Sequence, residues 1–289
     1  MSRKVISLLL VTAIVWGISF PVIKYTLRFI DPLPLLFYRF WLAAAVLVPL
    51  AYVGWKSSGE HLSLRRAALL SLLGLGGTVL SLVFLYFAMN LSPLSQVVVL
   101  LSMNPIYIKL ILAIDKRISL TDKQKLGILV AIIGAGILVS ENVPGGLLAV
   151  AAALAWAQYV VMSKFVFKKN TAKNSPMSMM ALSNLAGAIA LLPVLALLAP
   201  ESLASPFSSL DPKAVIGVFY LGVISTILGF VSFEAAAKLV KPQAASVVVY
   251  LQPLIAVPLA MWLLGETLTP LFPIGAGIIA LGVLLTERS

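Results

Sequence analysis

The sequence predicts an all-α membrane protein of about ten transmembrane helices, built as two inverted five-helix repeats. Hydrophobic residues make up 61% of the 289 and charged residues 11%, against roughly 45–50% and about 25% in an ordinary soluble domain. Landmark residues recur in the same order in both halves: Trp16 and Trp156, Thr78 and Thr226, Asn104-Pro105 and Gln252-Pro253. An odd number of crossings per copy forces the second copy to enter the membrane from the opposite side.

A spanning helix needs roughly 20 apolar residues at about 1.5 Å each to cross a core of about 30 Å. The first such segment, 5–29, follows Arg3 and Lys4 as a signal peptide would, but runs past Pro21 without a small-residue cleavage site and reads as a retained helix. The second, 33–54, starts after Asp31-Pro32, and the third, 67–90, stops before Ser92-Pro93. The fourth and fifth, 94–114 and 123–140, flank a short basic loop. Turn residues then introduce each later span: Pro144-Gly145-Gly146 before 146–166, Ser175-Pro176 before 177–199, Asp211-Pro212 before 213–237, Lys241-Pro242 at the start of 243–264, and Thr269-Pro270 at the start of 270–286. The repeats divide at residues 1–143 and 144–289, within one integral membrane domain.

The net charge of +11 is distributed as a topology signal, which argues against a nucleic-acid partner. With the N-terminus cytoplasmic, Arg3, Lys4, Lys56, Arg65, Arg66, Lys116, Arg117, Lys123, Lys125, Lys168, Lys169, Lys173, Lys238, Lys241 and Arg288 fall inside. Arg28 and Lys213 fall outside among Asp31, Glu141, Glu201, Asp211 and Glu266. Fifteen basic residues against two place both termini in the cytoplasm of a cell with this protein in its inner membrane. The absence of cysteine and the single histidine, His61, exclude thiol catalysis and a Cys/His zinc site. No cofactor is expected.

The repeat extends beyond its landmarks. Lys24 matches Lys164, Asp31-Pro32 and Pro49 match Ser175-Pro176 and Pro193, and Ala88 and Leu91 match Ala236 and Leu239, the offset staying between 140 and 150. Trp16-Gly17-Ile18-Ser19-Phe20 with Lys24, Arg39-Phe40 with Leu42, Gln252-Pro253 with Gly265-Glu266, and the glycines Gly275, Gly277 and Gly282 resemble the EamA-type drug/metabolite transporters over nearly the whole chain. That resemblance implies a ten-helix carrier, and its YddG-type members move amino acids or related metabolites. The sequence departs from the family pattern at Asp115-Lys116, where a Gly-Glu pair is usual, and at Lys109, where an apolar residue is usual.

Depth counting points to a site in the middle of the membrane. Asn104 lies about 15 Å below the outer end of its span, Gln252 at a similar depth from the other side, with Trp16 and Trp156 level with them and Thr78 and Thr226 within a turn. Pro105 and Pro253 each free a carbonyl beside an amide side chain. Such groups are tolerated where protein packs on them or a watery cavity passes between the repeats. Ser19 on the Trp16 motif and the aromatic residues Phe20, Tyr86, Tyr107, Tyr159, Phe230 and Tyr250 could wall that cavity, although helix packing explains most single aromatics.

Each charge within a span has a structural and a functional reading. Lys24 and Lys164 are expected to snorkel to headgroups. Arg39, about two turns down, either pairs with Asp31 or meets a carboxylate entering from outside. Lys109 sits one turn past Pro105 and either binds an anion or reaches the inner headgroups. Glu234 is expected to pair with Lys238 near the inner surface. With no acid at the midplane, facilitated diffusion or exchange is preferred over ion coupling.

The expected function is a secondary carrier, not an enzyme, that moves amino acids or related carboxylated metabolites by alternating access. The alternative is an exchanger of phosphorylated or other anionic metabolites, served by Lys109 and Arg39. The expected substrate-binding set is Trp16, Ser19, Arg39, Thr78, Asn104, Tyr107, Lys109, Trp156, Tyr159, Thr226, Tyr250 and Gln252. Partners are a small-molecule substrate and the lipid bilayer. Glycines on the fifth and tenth spans pack either within the fold or as the seam of a homodimer.

Overall fold

A computed structural model describes residues 3–57, 63–169, 176–204, 210–241, 244–245 and 247–287, and only the backbone of 165–169, 176, 204 and 247. His61, Lys173, Ser175, Pro242, Ser246 and Arg288 lie outside the described residues, as do the side chains of Lys168, Lys169 and Pro176.

Among the described residues ten apolar helices follow one another: α1 (Arg3–Thr26), α2 (Pro32–Ser57), α3 (Leu64–Leu91), α4 (Leu94–Ile114), α5 (Asp122–Glu141), α6 (Val143–Lys169), α7 (Pro176–Leu198), α8 (Pro212–Ala237), α9 (Val247–Leu251 as a 3₁₀ turn, then Gln252–Leu264) and α10 (Phe272–Glu287). The first eight are long and apolar enough to cross a membrane, and the last two are shorter apolar helices. Their boundaries are set by local chemistry. Ser63 accepts from Arg66 N–H before α3, Thr121 and Gln124 form a capping box at α5, and Asp211 accepts from Lys213 N–H ahead of Pro212 at α8. Gly265, at φ 68, ends α9 in the left-handed conformation that favours glycine. The equivalent end of α4 has Lys116 there instead, at φ 54. The departure from the family pattern at Asp115-Lys116 is therefore a point of backbone strain, on the order of 1–2 kcal/mol.

The two repeats are interleaved. α1 packs on α8 and α9 of the second repeat, while α6 packs on α3 and α4 of the first; α2 pairs with α7 and α5 with α10. When the repeats are exchanged, the contacts of α1 map onto those of α6, and the α2–α7 and α5–α10 pairs map onto themselves. α5 and α10 meet through glycine: a side chain at Gly282 would run into the Gly127 carbonyl and Ala131 backbone, and one at Gly134 into the Gly275 carbonyl. Gly127, Gly134, Gly275 and Gly282 thus serve close packing within one chain, whereas Gly136 and Gly277 face open space.

Four irregularities lie at equivalent places. α4 breaks at Ser102-Met103 and restarts at Asn104, and α9 changes from 3₁₀ to α at Gln252, with a proline at the first turn of each new segment. α3 widens to π geometry at Leu75–Val79 and α8 at Tyr220–Phe230. Thr226 reinforces the wide turn by donating its hydroxyl to Leu221 O, five residues back, at 2.9 Å. π turns gather at functional positions, and here they flank the centre of the bundle.

Candidate substrate cavity

A cavity of about 70 Å³, room for roughly five water molecules, is lined by the irregular segments of α4, α8 and α9 and by the regular part of α3 that follows its π turn. It is walled by α1, α2, α3, α4, α6, α8 and α9. Six of the twelve expected residues line it: Trp16, Ser19, Arg39, Asn104, Trp156 and Gln252. Its aromatic side is one cluster. Trp16 stands edge-on to Trp156 at 5.4 Å and to Phe230 at 4.7 Å between ring centres. Gly229 is what lets the indole in, because a side chain there would strike Trp16 Nε1.

Three buried polar atoms of residues lining this space have no hydrogen-bond partner: Trp16 Nε1, Arg39 Nε and Asn104 Oδ1. They offer two donors and one acceptor where an unmet group costs on the order of 1–3 kcal/mol. Arg39 is 2% exposed. Its Nη1 donates to Tyr86 Oη at 2.6 Å, and the guanidinium lies 5.7 Å from the Tyr86 ring and 5.8 Å from that of Phe230. Among the described residues no carboxylate pairs with it, Asp31 included. Ser19 Oγ lies 2.9 Å from Ser225 Oγ, joining α1 to α8 at the cavity wall. The Asn104–Ile114 and Gln252–Leu264 segments begin at the cavity, which adds the positive ends of two helix dipoles to the single arginine.

The other six expected residues lie elsewhere. Lys109 is held in an ion pair with Glu287 at 2.8 Å and donates to Thr286 O at 2.9 Å, so it ties α4 to the end of α10 and is not among the residues that line this cavity. Its long stem finds a protein carboxylate within reach, which removes the anion-anchor reading. Tyr250 joins the same cluster, 3.4 Å from Glu287. Tyr107 is turned back on Met103 of its own helix. Thr226 is used up on Leu221, and Thr78 is buried behind the wall. Tyr159 donates to Glu234 at 2.5 Å. Counting residues along each helix could not fix the face that each of these presents. The cavity also takes Ser81 and Ser225, which depth counting passed over in favour of their neighbours Thr78 and Thr226. Ser81, one turn above Thr78, and Ser225, adjacent to Thr226, were the available signals.

Three further charges depart from the sequence reading. Lys24 does not snorkel: it donates to Met89 O at 2.5 Å and Ser92 O at 2.9 Å, closing the end of α3. Lys164 does the same to Ala237 O at 3.1 Å and Lys238 O at 2.9 Å at the end of α8. The duplicated lysines are duplicated helix caps, because open C-terminal carbonyls lie closer than headgroups. Glu234, in the last turn of α8, is fully buried and bonded by Tyr159 rather than paired at the protein surface. Its burial removes the ground for preferring facilitated diffusion or exchange over ion coupling.

Ten apolar helices, in two interleaved repeats around a small cavity of mixed polarity, define a multi-pass membrane transporter of small molecules. The pattern of the EamA-like transporter family matches residues 3–140 and again 143–288, so the chain belongs to that family. Relatives span the whole length. A protein of Salmonella typhimurium named "Probable amino-acid metabolite efflux pump" is 28% identical over 98% of this chain and 94% of its own. One of Streptantibioticus cattleyicolor named "Probable terminal-alkyne amino-acid exporter" is 26% identical over 99% and 94%, and an "Uncharacterized transporter" of Archaeoglobus fulgidus 27% identical over 97% of each. A crystal structure superposes with a TM-score of 0.69 over 99% of both chains at 20% identity, a likeness of fold.

Proposed function

We propose that the chain carries amino acids or closely related small carboxylated metabolites across the cytoplasmic membrane by alternating access. The observation that carries this reading is Arg39, a buried guanidinium at the cavity wall with a free Nε and no carboxylate partner among the described residues. A cation left in that state is stabilised by an anion of the cargo, and a carboxylate matches the planar guanidinium. Trp16 Nε1 adds a second donor, and Asn104 Oδ1 gives an ammonium its acceptor. The aromatic cluster takes the side chain. The names of the Salmonella and Streptantibioticus relatives point the same way.

The alternative, a phosphorylated or strongly anionic cargo, loses support with Lys109, since among the described residues Arg39 is then the only charged one at the wall. The space of about 70 Å³ also suits a small molecule. The strong excess of basic residues on the terminal side supports cytoplasmic termini. Counterflow tests the reading. Purified protein in liposomes preloaded with single amino acids, organic acids or phosphorylated compounds is assayed for uptake of the matching labelled trace. Saturable uptake confined to amino acids is expected, and uptake confined to phosphorylated compounds refutes it.

A further inference from the structure

We propose that Glu234 is a proton-binding site whose protonation is coupled to the passage of cargo, an inference that rests on the carrier reading above. Glu234 sits on α8 with 0% of its surface exposed. One oxygen accepts from Tyr159 at 2.5 Å and the other, Oε2, has no hydrogen-bond partner. An ionised carboxylate has about four acceptor sites to satisfy. A buried one given a single donor is poorly suited to hold a permanent charge and well suited to exchange a proton.

The groups around it are few. From α6 come Tyr159 and, further along, Lys164, whose ammonium is engaged by the carbonyls of Ala237 and Lys238. On α8 itself Lys238, one turn on, is the cation whose field reaches it. α7 has no ionisable residue, and on α1 Arg3 and Lys4 stand at the exposed start while Lys24 is bonded at the far end.

The link to the cavity is structural. Phe230, one turn before Glu234, and Trp156, one turn before Tyr159, both line the cavity. The Trp156 ring lies 5.1 Å from Tyr159 and 5.2 Å from Phe233. Cargo that displaces this aromatic layer therefore moves both partners of the Tyr159–Glu234 bond. The π geometry of α8 ends at Phe230, so the turn between cavity and carboxyl is also where the helix changes its hydrogen-bond register. In each cycle the carboxylate takes one proton from water on one side, becomes the neutral acid, and returns that proton to water on the other side.

Two measurements on the full chain test this. Infrared spectra over a pH series should show a carboxylic-acid C=O band in the wild type that Glu234→Gln lacks. In proteoliposomes, an amino acid that gives counterflow at equal pH should accumulate up to about tenfold under a one-unit pH difference, the limit for one proton per cargo. Glu234→Gln should keep counterflow and lose the accumulation. Wild-type counterflow without gradient-driven accumulation, or undiminished accumulation in Glu234→Gln, overturns the proposal. If the glutamine variant does not fold, Tyr159→Phe keeps the ring, and an unmoved infrared titration midpoint overturns it equally. Absence of counterflow for every amino acid defeats the carrier reading instead, and the infrared band then judges Glu234 alone.

Discussion

Replacing Lys109 by Met separates a substrate anchor from a structural tie. Lys109 and Glu287 are joined at 2.8 Å with side chains 11% and 33% exposed, and the ammonium also caps Thr286 O at 2.9 Å. Fully buried pairs cost about 3–5 kcal/mol when one partner is removed, and exposed ones about 0–1 kcal/mol. A pair of this intermediate burial should cost about 2 kcal/mol. That corresponds to a fall in Tm of on the order of 5 °C, scaled from soluble chains. Thermal unfolding followed by tryptophan fluorescence in detergent measures it, and counterflow measures transport in parallel. Lys109→Met should lower Tm and leave the cargo KM within about twofold. Adding Glu287→Gln should recover most of the loss, because the stranded carboxylate is neutralised. An unchanged Tm with a KM raised tenfold or more would show that Lys109 holds the cargo and that its pairing with Glu287 is incidental.

Arg39→Lys keeps the charge but not the planar fork; KM should rise by about 10–100-fold, the loss of a charge-assisted hydrogen bond of about 1.5–3 kcal/mol, and an unchanged KM in counterflow would exclude Arg39 from binding. Lys116→Gly relieves the left-handed strain at φ 54, and after the entropy cost of glycine a gain of up to about 1 kcal/mol in thermal stability is expected, with any loss counting against the strain. Gly282→Val should destabilise by at least about 1–3 kcal/mol, because the new side chain meets Gly127 and Ala131 backbone that cannot turn aside; unaltered melting would mean that α5 and α10 part easily. Glu266→Gln removes the carboxylate that accepts from Leu94 and Ser95 N–H at 2.9 Å each, and the start of α4 should lose about 1 kcal/mol, read as faster amide exchange there.

The class of this protein was written in its composition. Lipid tolerates only segments that satisfy their own backbone, so ten apolar stretches with proline- and glycine-rich breaks leave ten helices as the solution. The order of the landmarks was enough to expose the duplication, and depth counting brought Trp16, Asn104, Trp156 and Gln252 to one level because rise per residue is nearly constant. What it could not supply was rotation and reach. An all-apolar helix carries little amphipathic signal to show which side faces the interior, so Thr78 and Ser81, or Thr226 and Ser225, could be told apart only by packing. The fates of the charges were decided the same way. Lys24 and Lys164 found open carbonyls, Lys109 found Glu287, Glu234 found Tyr159, and Arg39 found no carboxylate among the described residues. Each long side chain meets whichever partner lies within a few ångströms, and those partners come from the opposite repeat or a distant helix. Composition and spacing thus determined that the chain is a duplicated membrane protein, whereas the packing of its helices decided which charges hold the fold together and which one lines the cavity.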